Sequence, residues 1–198
     1  MGGRHVRAAV VLAALLGVVA SSCADDARRS SSQALYRALL TSAIPDSQLT
    51  HAFYAARNGV GTPSWSARRH HAAGRVDVDV DRGGARIVYT VYRSTKDALA
   101  DWKDANSARR ADVKSRLAAP GFPVPAIVVN GSAAGKDAFG KKLTKGFSDL
   151  GFVAGSVIVH AVTLSVVTTD SGDVPNTFAL GKIALRHLRE VEARVGRS

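Results

Sequence analysis

Val76, Val78 and Val80 alternate with Asp77, Asp79 and Asp81. Side chains along a strand point to opposite faces in turn, so this run predicts a strand with one apolar and one acidic face. Arg82-Gly83-Gly84 then turns the chain. Ala85 to Tyr92 (ARIVYTVY) is rich in β-branched and aromatic residues and should pair back antiparallel as a hairpin. A sheet with an apolar face must be covered, and that requirement organises the rest of the chain.

Ser94, with Asp97 three residues later, opens a helix in a capping-box-like arrangement. Ala98, Leu99, Trp102 and Ala105 are its expected buried stripe. A further Ala/Arg-rich helical stretch is expected over Ala108 to Leu117. Pro120, Pro123 and Pro125 mark a stiff crossing loop, Ala126 to Val129 a short strand, and Asn130 to Gly140 a Gly/Ala loop. Leu143, Lys145, Phe147 and Asp149 alternate with small or polar residues, which suggests a strand, and Gly151 to Gly155 holds the next turn. Val157 to Thr168 is the longest β-like run and the expected central strand. Pro175 suits the first turn of a last helix. Leu180, Ile183, Ala184, His187, Leu188, Val191 and Val195 form one face of it, His187 being read as its helix-edge member, and Lys182, Arg186 and Arg189 line the other. Upstream, Gln33 to Thr41 has helical leucine spacing, Leu49 to Arg57 reads as a second short helix, and Asn58 to Ser66 as a loop. Hairpin then helix occurs twice, over 75–106 and 141–195. This order predicts an α+β fold, an antiparallel sheet with helices packed on one face.

The N-terminus carries a different signal. Arg4 and Arg7 precede an uninterrupted run of apolar or small residues, Ala8 to Ala20, and Ser21 and Ser22 lead to Cys23, the single cysteine of the chain. This is the layout of an export signal, and it is too short for a membrane-spanning helix. Together these residues resemble a bacterial lipoprotein precursor, whose lipobox sets small residues before an invariant cysteine. Lipoboxes usually carry Leu where this chain has Ala20. The resemblance covers about the first 25 residues and implies that Cys23 is acylated with diacylglycerol and palmitate-type chains. It implies a signal peptide over 1–22, a flexible tether over 23–32 and one domain over 33–198. The expected location is the outer face of the cell membrane, lipid-anchored. The alternative is secretion after a cut behind Ala24, which also fits a small-x-small cleavage rule. The Ala-, Arg- and Val-rich composition resembles that of a GC-rich actinobacterial genome.

Charge and cysteine content narrow the partners. The formal charge is +11, and loss of Arg4 and Arg7 with the leader leaves +9. A cytosolic protein so basic would suggest nucleic acid, but outside the membrane the available polyanions are lipid headgroups and acidic envelope polymers. A cysteine-free body has no disulfides, so its stability rests on packing.

Motifs for chemistry fail on inspection. Asp77, Asp79 and Asp81 mimic the start of an EF-hand loop, but Arg82 takes the glycine position and Val88 the glutamate position. They read instead as a solvated strand face, with Arg75, Arg82 and Arg86 as local ion partners. Gly131 to Lys136 (GSAAGK) is one residue short of a phosphate loop and is followed by Asp137 where Ser or Thr is needed. Adjacent His70 and His71 point apart on any regular element, and no HExxH motif or second cysteine supports a metal. No cofactor is implied. His160 lies within an apolar strand, where a satisfied core or interface histidine is the ordinary outcome. Trp65 and Trp102 read as anchors.

The expected function is a non-enzymatic binding module for a lipid, an anionic ligand or a partner protein, with Arg68, Arg69, Lys141, Lys142 and Lys145 as anionic-contact residues. One alternative is an envelope hydrolase using His70, His71 or His160 as base. Another is an accessory subunit of a membrane complex.

Overall fold

The structure is a computed structural model that describes residues 30–45, 48, 71–81, 84–107, 113–136, 142–165 and 174–197. In chain order these form α1 (30–41), β1 (Ala72–Asp81), β2 (Ala85–Tyr92), α2 (Thr95–Ser107), β3 (Val113–Ala118), β4 (Ala126–Lys136), β5 (Lys142–Ala154), β6 (Val157–Ser165) and α3 (Val174–Val195). The fold is α+β. All six strands join one sheet in the order β1-β2-β6-β5-β4-β3, every pairing antiparallel.

The alternating hairpin behaves as its sequence dictates. Val76, Val78 and Val80 are buried, while Asp77 and Asp79 sit on the opposite face. There Arg75 Nε donates to Asp77 and Arg86 Nε to Asp79, each at 2.8 Å. Arg86 and Asp79 are cross-strand partners, so the acidic face is neutralised by arginines within the hairpin. Exposed pairs of this kind contribute little stability and mainly keep the face soluble.

Strand alternation sorts the sheet into two faces. Val78, Ile87, Tyr89, Val159, Ala161, Leu150, Phe152 and Val128 share one face and pack against α1 and α3. α3 is 22 residues long, with Pro175 in its first turn, where the missing N–H is harmless. Leu180, Ile183, Ala184, Leu188 and Val191 return every three or four residues and are all buried. A side chain at Gly181 would overlap Leu150, so this glycine lets α3 lie close on β5. Phe122, from the β3–β4 connection, closes one end by stacking against Phe152 at 5.1 Å and Phe178 at 6.1 Å. Each such core side chain contributes roughly 1.5–3 kcal/mol through burial.

Both hairpin-then-helix units are present, and the second ends a four-stranded meander. α1 and α3 pack on one face of the sheet. The helices do not all share that face as expected: α2 packs on the other, through Ala98 and Trp102 against Tyr92, Ile158 and Val153. Its capping box forms as expected: Asp97 N donates to Ser94 Oγ at 3.1 Å and Ser94 Oγ donates to Asp97 at 2.7 Å. Leu99 and Ala105, expected in its buried stripe, are exposed.

Two local expectations are corrected. The helix expected over Ala108 to Leu117 gives way to strand β3, because the edge of β4 offers ladder hydrogen bonds to Val113–Ala118. The loop expected over Asn130 to Gly140 is strand as far as Lys136, since β5 pairs with β4 along its whole length, while β3 flanks it as far as Gly131. Its glycines and alanines are poor strand formers, but the continuous β5 ladder overrides the propensity. The backbone of GSAAGK is therefore laid along a ladder. The expected short helix over Leu49 to Arg57 lies outside the described residues, apart from Gln48 just before it.

Candidate functional site

Among the described residues, the face of the sheet opposite α3 is only partly covered. α2 crosses it near the β5–β6 turn, and beyond α2 the face carries Val88, Val162, Leu164, Phe147 and Val129. Leu164 is 37% exposed. A cleft of about 80 Å³ opens beside α2, lined among others by Trp102, Asn106, Arg116, Phe147, Asp149 and His160. A second cleft of about 290 Å³ lies on the same face over Val88, Val162 and Leu164, with Arg75, Arg86 and Asp79 at its rim. The two adjoin, since Val88 pairs with His160 and Val162 with Asp149 across the ladders.

The polar centre of this face is built by the β5–β6 hairpin. The turn at Gly155 sets the register that places Gly151 opposite His160 and Asp149 two pairs further along, on the same face. His160 Nδ1 lies 3.0 Å from both carboxylate oxygens of Asp149. Their side chains are 35% and 24% exposed, so the pair is reachable from solvent. A carboxylate at Nδ1 fixes the tautomer: Nδ1–H donates to Asp149 and, in the neutral ring, the lone pair resides on Nε2.

Gly151 is what allows α2 to reach this pair. A Cβ there would stand 2.6 Å from Trp102, so the indole rests directly on the glycine backbone. The same indole leans on His160 with ring centroids 6.1 Å apart. On the far side, Asn106 Nδ2 donates to Trp102 O at 2.8 Å, and Arg116 donates to Asn106 O. The guanidinium of Arg116 is thereby held at the cleft wall by the last turns of α2.

In the middle of α2, beside Trp102, Tyr92 donates to the Asp101 carboxylate. Burial, and then the neighbouring carboxylate, raise that phenol's pKa. On the α3 side, His187 is buried rather than at a helix edge as expected, because its ring lies under Tyr89 at 5.8 Å. Tyr89 Oη is 3.1 Å from His187 Nδ1 and 3.2 Å from Ala184 O. Burial, assisted by the Arg194 charge, pushes the His187 pKa down to about 4, while Glu190 opposes the shift.

Among the described residues, those nominated from the sequence do not converge here, His160 apart. Arg68, Arg69, Lys141, His70, Trp65 and Cys23 lie outside the described residues. Lys142 and Lys145 fall on the first part of β5, paired with Lys136 and Ala133. His71 lies just before β1 and is not among the residues lining the α2 cleft. Of the two described candidate bases, His71 and His160, only His160 is at this site, half-buried on a sheet face and paired with Asp149 rather than enclosed in the core. Asp149, Trp102, Arg116 and Phe147 were not nominated. The signal for Asp149 was the hairpin register: a turn at Gly155 brings positions 149 and 160 together on one face.

No group of three or more metal-ligating side chains exists among the described residues. No described helix is long and apolar enough to cross a membrane. No family model, curated protein or solved structure matches this chain.

Proposed function

We propose that this chain is an envelope lipoprotein, anchored through Cys23 on the outer face of the cell membrane, whose folded domain is a non-enzymatic binding module. The observation that carries the binding reading is the pair of adjoining clefts on the partly covered sheet face. Their floor is apolar and their walls hold Trp102, Arg116 and the His160–Asp149 pair. Such a surface suits an amphiphile: an apolar chain along Val88, Val162 and Leu164, and a small polar or anionic end beside Arg116 and His160. The α2 cleft, at about 80 Å³, admits only the end group and not the chain.

The test uses the Trp65→Phe chain, in which Trp102 is the remaining tryptophan. Titration with dodecyl phosphate is expected to change Trp102 emission saturably, and Val162→Glu is expected to abolish that change. An unresponsive Trp102 with dodecyl phosphate, laurate and dodecyl maltoside alike rules the reading out.

The His160–Asp149 pair gives a second reading some support. An oriented imidazole is the base half of a hydrolytic site. No Ser, Thr or Cys hydroxyl or thiol lines the α2 cleft among the described residues, so this base would act on water rather than on a side-chain nucleophile. Turnover of a nitrophenyl ester that disappears in His160→Ala would favour the hydrolase.

A further inference from the structure

On the outer side of α3, Lys182, Arg186, Arg189 and Ala193 are all exposed. At about 100° per residue they fall within one stripe about 60° wide. Beneath the stripe runs a groove of about 330 Å³ floored by Pro123, Leu185 and Ala193, so three cations and the Glu190 carboxylate ring a largely apolar slot. Two carboxylates stand nearby and both are engaged. Glu190 accepts a 2.6 Å hydrogen bond from Gln48 Nε2, and Glu192 is half-buried beside Arg189, with burial raising its pKa. Neither Lys182 nor Arg186 makes an ion pair or a side-chain hydrogen bond among the described residues.

The C-terminal end of the stripe also lies at the end of the domain from which the N-terminal segment departs. Ser31 and Ser32, at the start of α1, line one cleft with Ser156 of the β5–β6 turn, and Ser32 Oγ donates to Tyr92 O at 2.9 Å. A side chain at Gly155 in that turn would stand 3.7 Å from Glu192, so the last turns of α3 meet the same turn. Cys23 precedes the first residue of α1 by seven positions. Seven extended residues span at most about 25 Å.

We propose that the Lys182–Arg186–Arg189 stripe of α3 docks on an anionic bilayer surface, with phosphate headgroups over the guanidinium groups and the groove receiving the glycerol-level apolar edge. The inference rests on the proposed attachment at Cys23, which holds the domain within reach of the surface. Charge complementarity and the shared end of the molecule select the bilayer over a soluble polyanion. The consequence is an orientation. α3 and the clefts lie on opposite faces of the sheet, so docking through α3 turns the ligand face away from the membrane and toward the envelope space.

The experiment uses the chain carrying Cys23→Ser, which removes the acyl anchor, and Ala193→Cys, labelled with an environment-sensitive dye. Vesicles of phosphatidylcholine alone are compared with vesicles containing phosphatidylglycerol. A dye at position 193 responds only when the α3 face meets the surface, whether or not the leader binds by itself. The expected result is an emission shift with phosphatidylglycerol that high salt reverses. Each basic residue near an anionic surface gives about a fivefold factor, so Lys182→Glu/Arg186→Glu/Arg189→Glu should weaken binding by a hundredfold or more, with an unchanged melting transition. Arg75→Glu/Arg86→Glu, on the other sheet face, should leave the shift intact. A chain that sediments with the vesicles but shows no dye response overturns the docking face and leaves the Cys23 reading standing. So does a shift that survives the triple reversal, or a response to soluble polyglutamate without one to phosphatidylglycerol vesicles.

Discussion

His187 gives this fold a built-in sensitivity to acid. Its ring is 1% exposed, wedged between α3 and Tyr89, and its pKa is pushed from an ordinary 6.5 down to about 4. A histidine held neutral in the folded state binds fewer protons there than in the unfolded chain at every pH in that window. Its contribution is therefore complete above pH 6.5 and is lost as the pH falls toward 4. The full interval corresponds to about 3 kcal/mol, and the part lost by pH 5 is about 2 kcal/mol. That is a large fraction of the 5–15 kcal/mol typical of a domain. The geometry supports the neutral ring. With Tyr89 Oη donating to Ala184 O, His187 Nδ1–H donates to the phenol oxygen, and Nε2 is left as a buried acceptor without a partner. An orphan acceptor is tolerable, whereas an orphan N–H⁺ in the same place is not. The assay is urea unfolding of the wild-type chain and His187→Phe at several pH values between 7.5 and 5. Wild type should lose about 2 kcal/mol more than the variant over this range. Glu192, whose folded pKa is raised, acts in the opposite direction, and taking the difference between the two chains removes it. Equal pH slopes in the two chains would refute the reasoning.

Other substitutions test the packing directly. Gly151→Ala places a Cβ 2.6 Å from Trp102, so α2 must shift; a loss of about 1–3 kcal/mol and an altered Trp102 near-UV signal are expected, and an unchanged spectrum would contradict the close approach. Ser148 Oγ is fully buried on the α3 face with no hydrogen-bond partner, so Ser148→Ala should raise stability by about 1 kcal/mol in thermal unfolding. Ser94→Ala removes the α2 cap and should cost about 1 kcal/mol, with the Trp102 environment loosening in step; a neutral result would mean α2 is held by Trp102 alone. Tyr89→Phe should cost about 1–3 kcal/mol, because His187 Nδ1 then loses its buried partner.

Local chemistry was enough to determine the hairpin, the α2 cap and α3. In each, the deciding residues are neighbours in sequence: valine against aspartate at period two, Ser94 and Asp97 three apart, and the leucine and valine positions of α3 at helical spacing. The antiparallel α+β class followed from these pieces, since the apolar faces they present have to be covered. What the sequence alone did not decide rests on partners remote in the chain. Val113–Ala118 reads as helix until β4 offers an edge, and Gly131–Lys136 reads as loop until β5 pairs with it residue by residue. The face taken by α2 depends on Gly151, whose missing side chain admits an indole 49 positions earlier in the chain. His187 looks like a helix edge until Tyr89 from β2 covers it, and His160 looks like core until α3 is seen to occupy the other face. The candidate site belongs to this second kind. Its members come from α2, β3, β5 and β6, and only the sheet register brings the Asp149 carboxylate to the His160 ring, because a one-residue slip would send either to the opposite face.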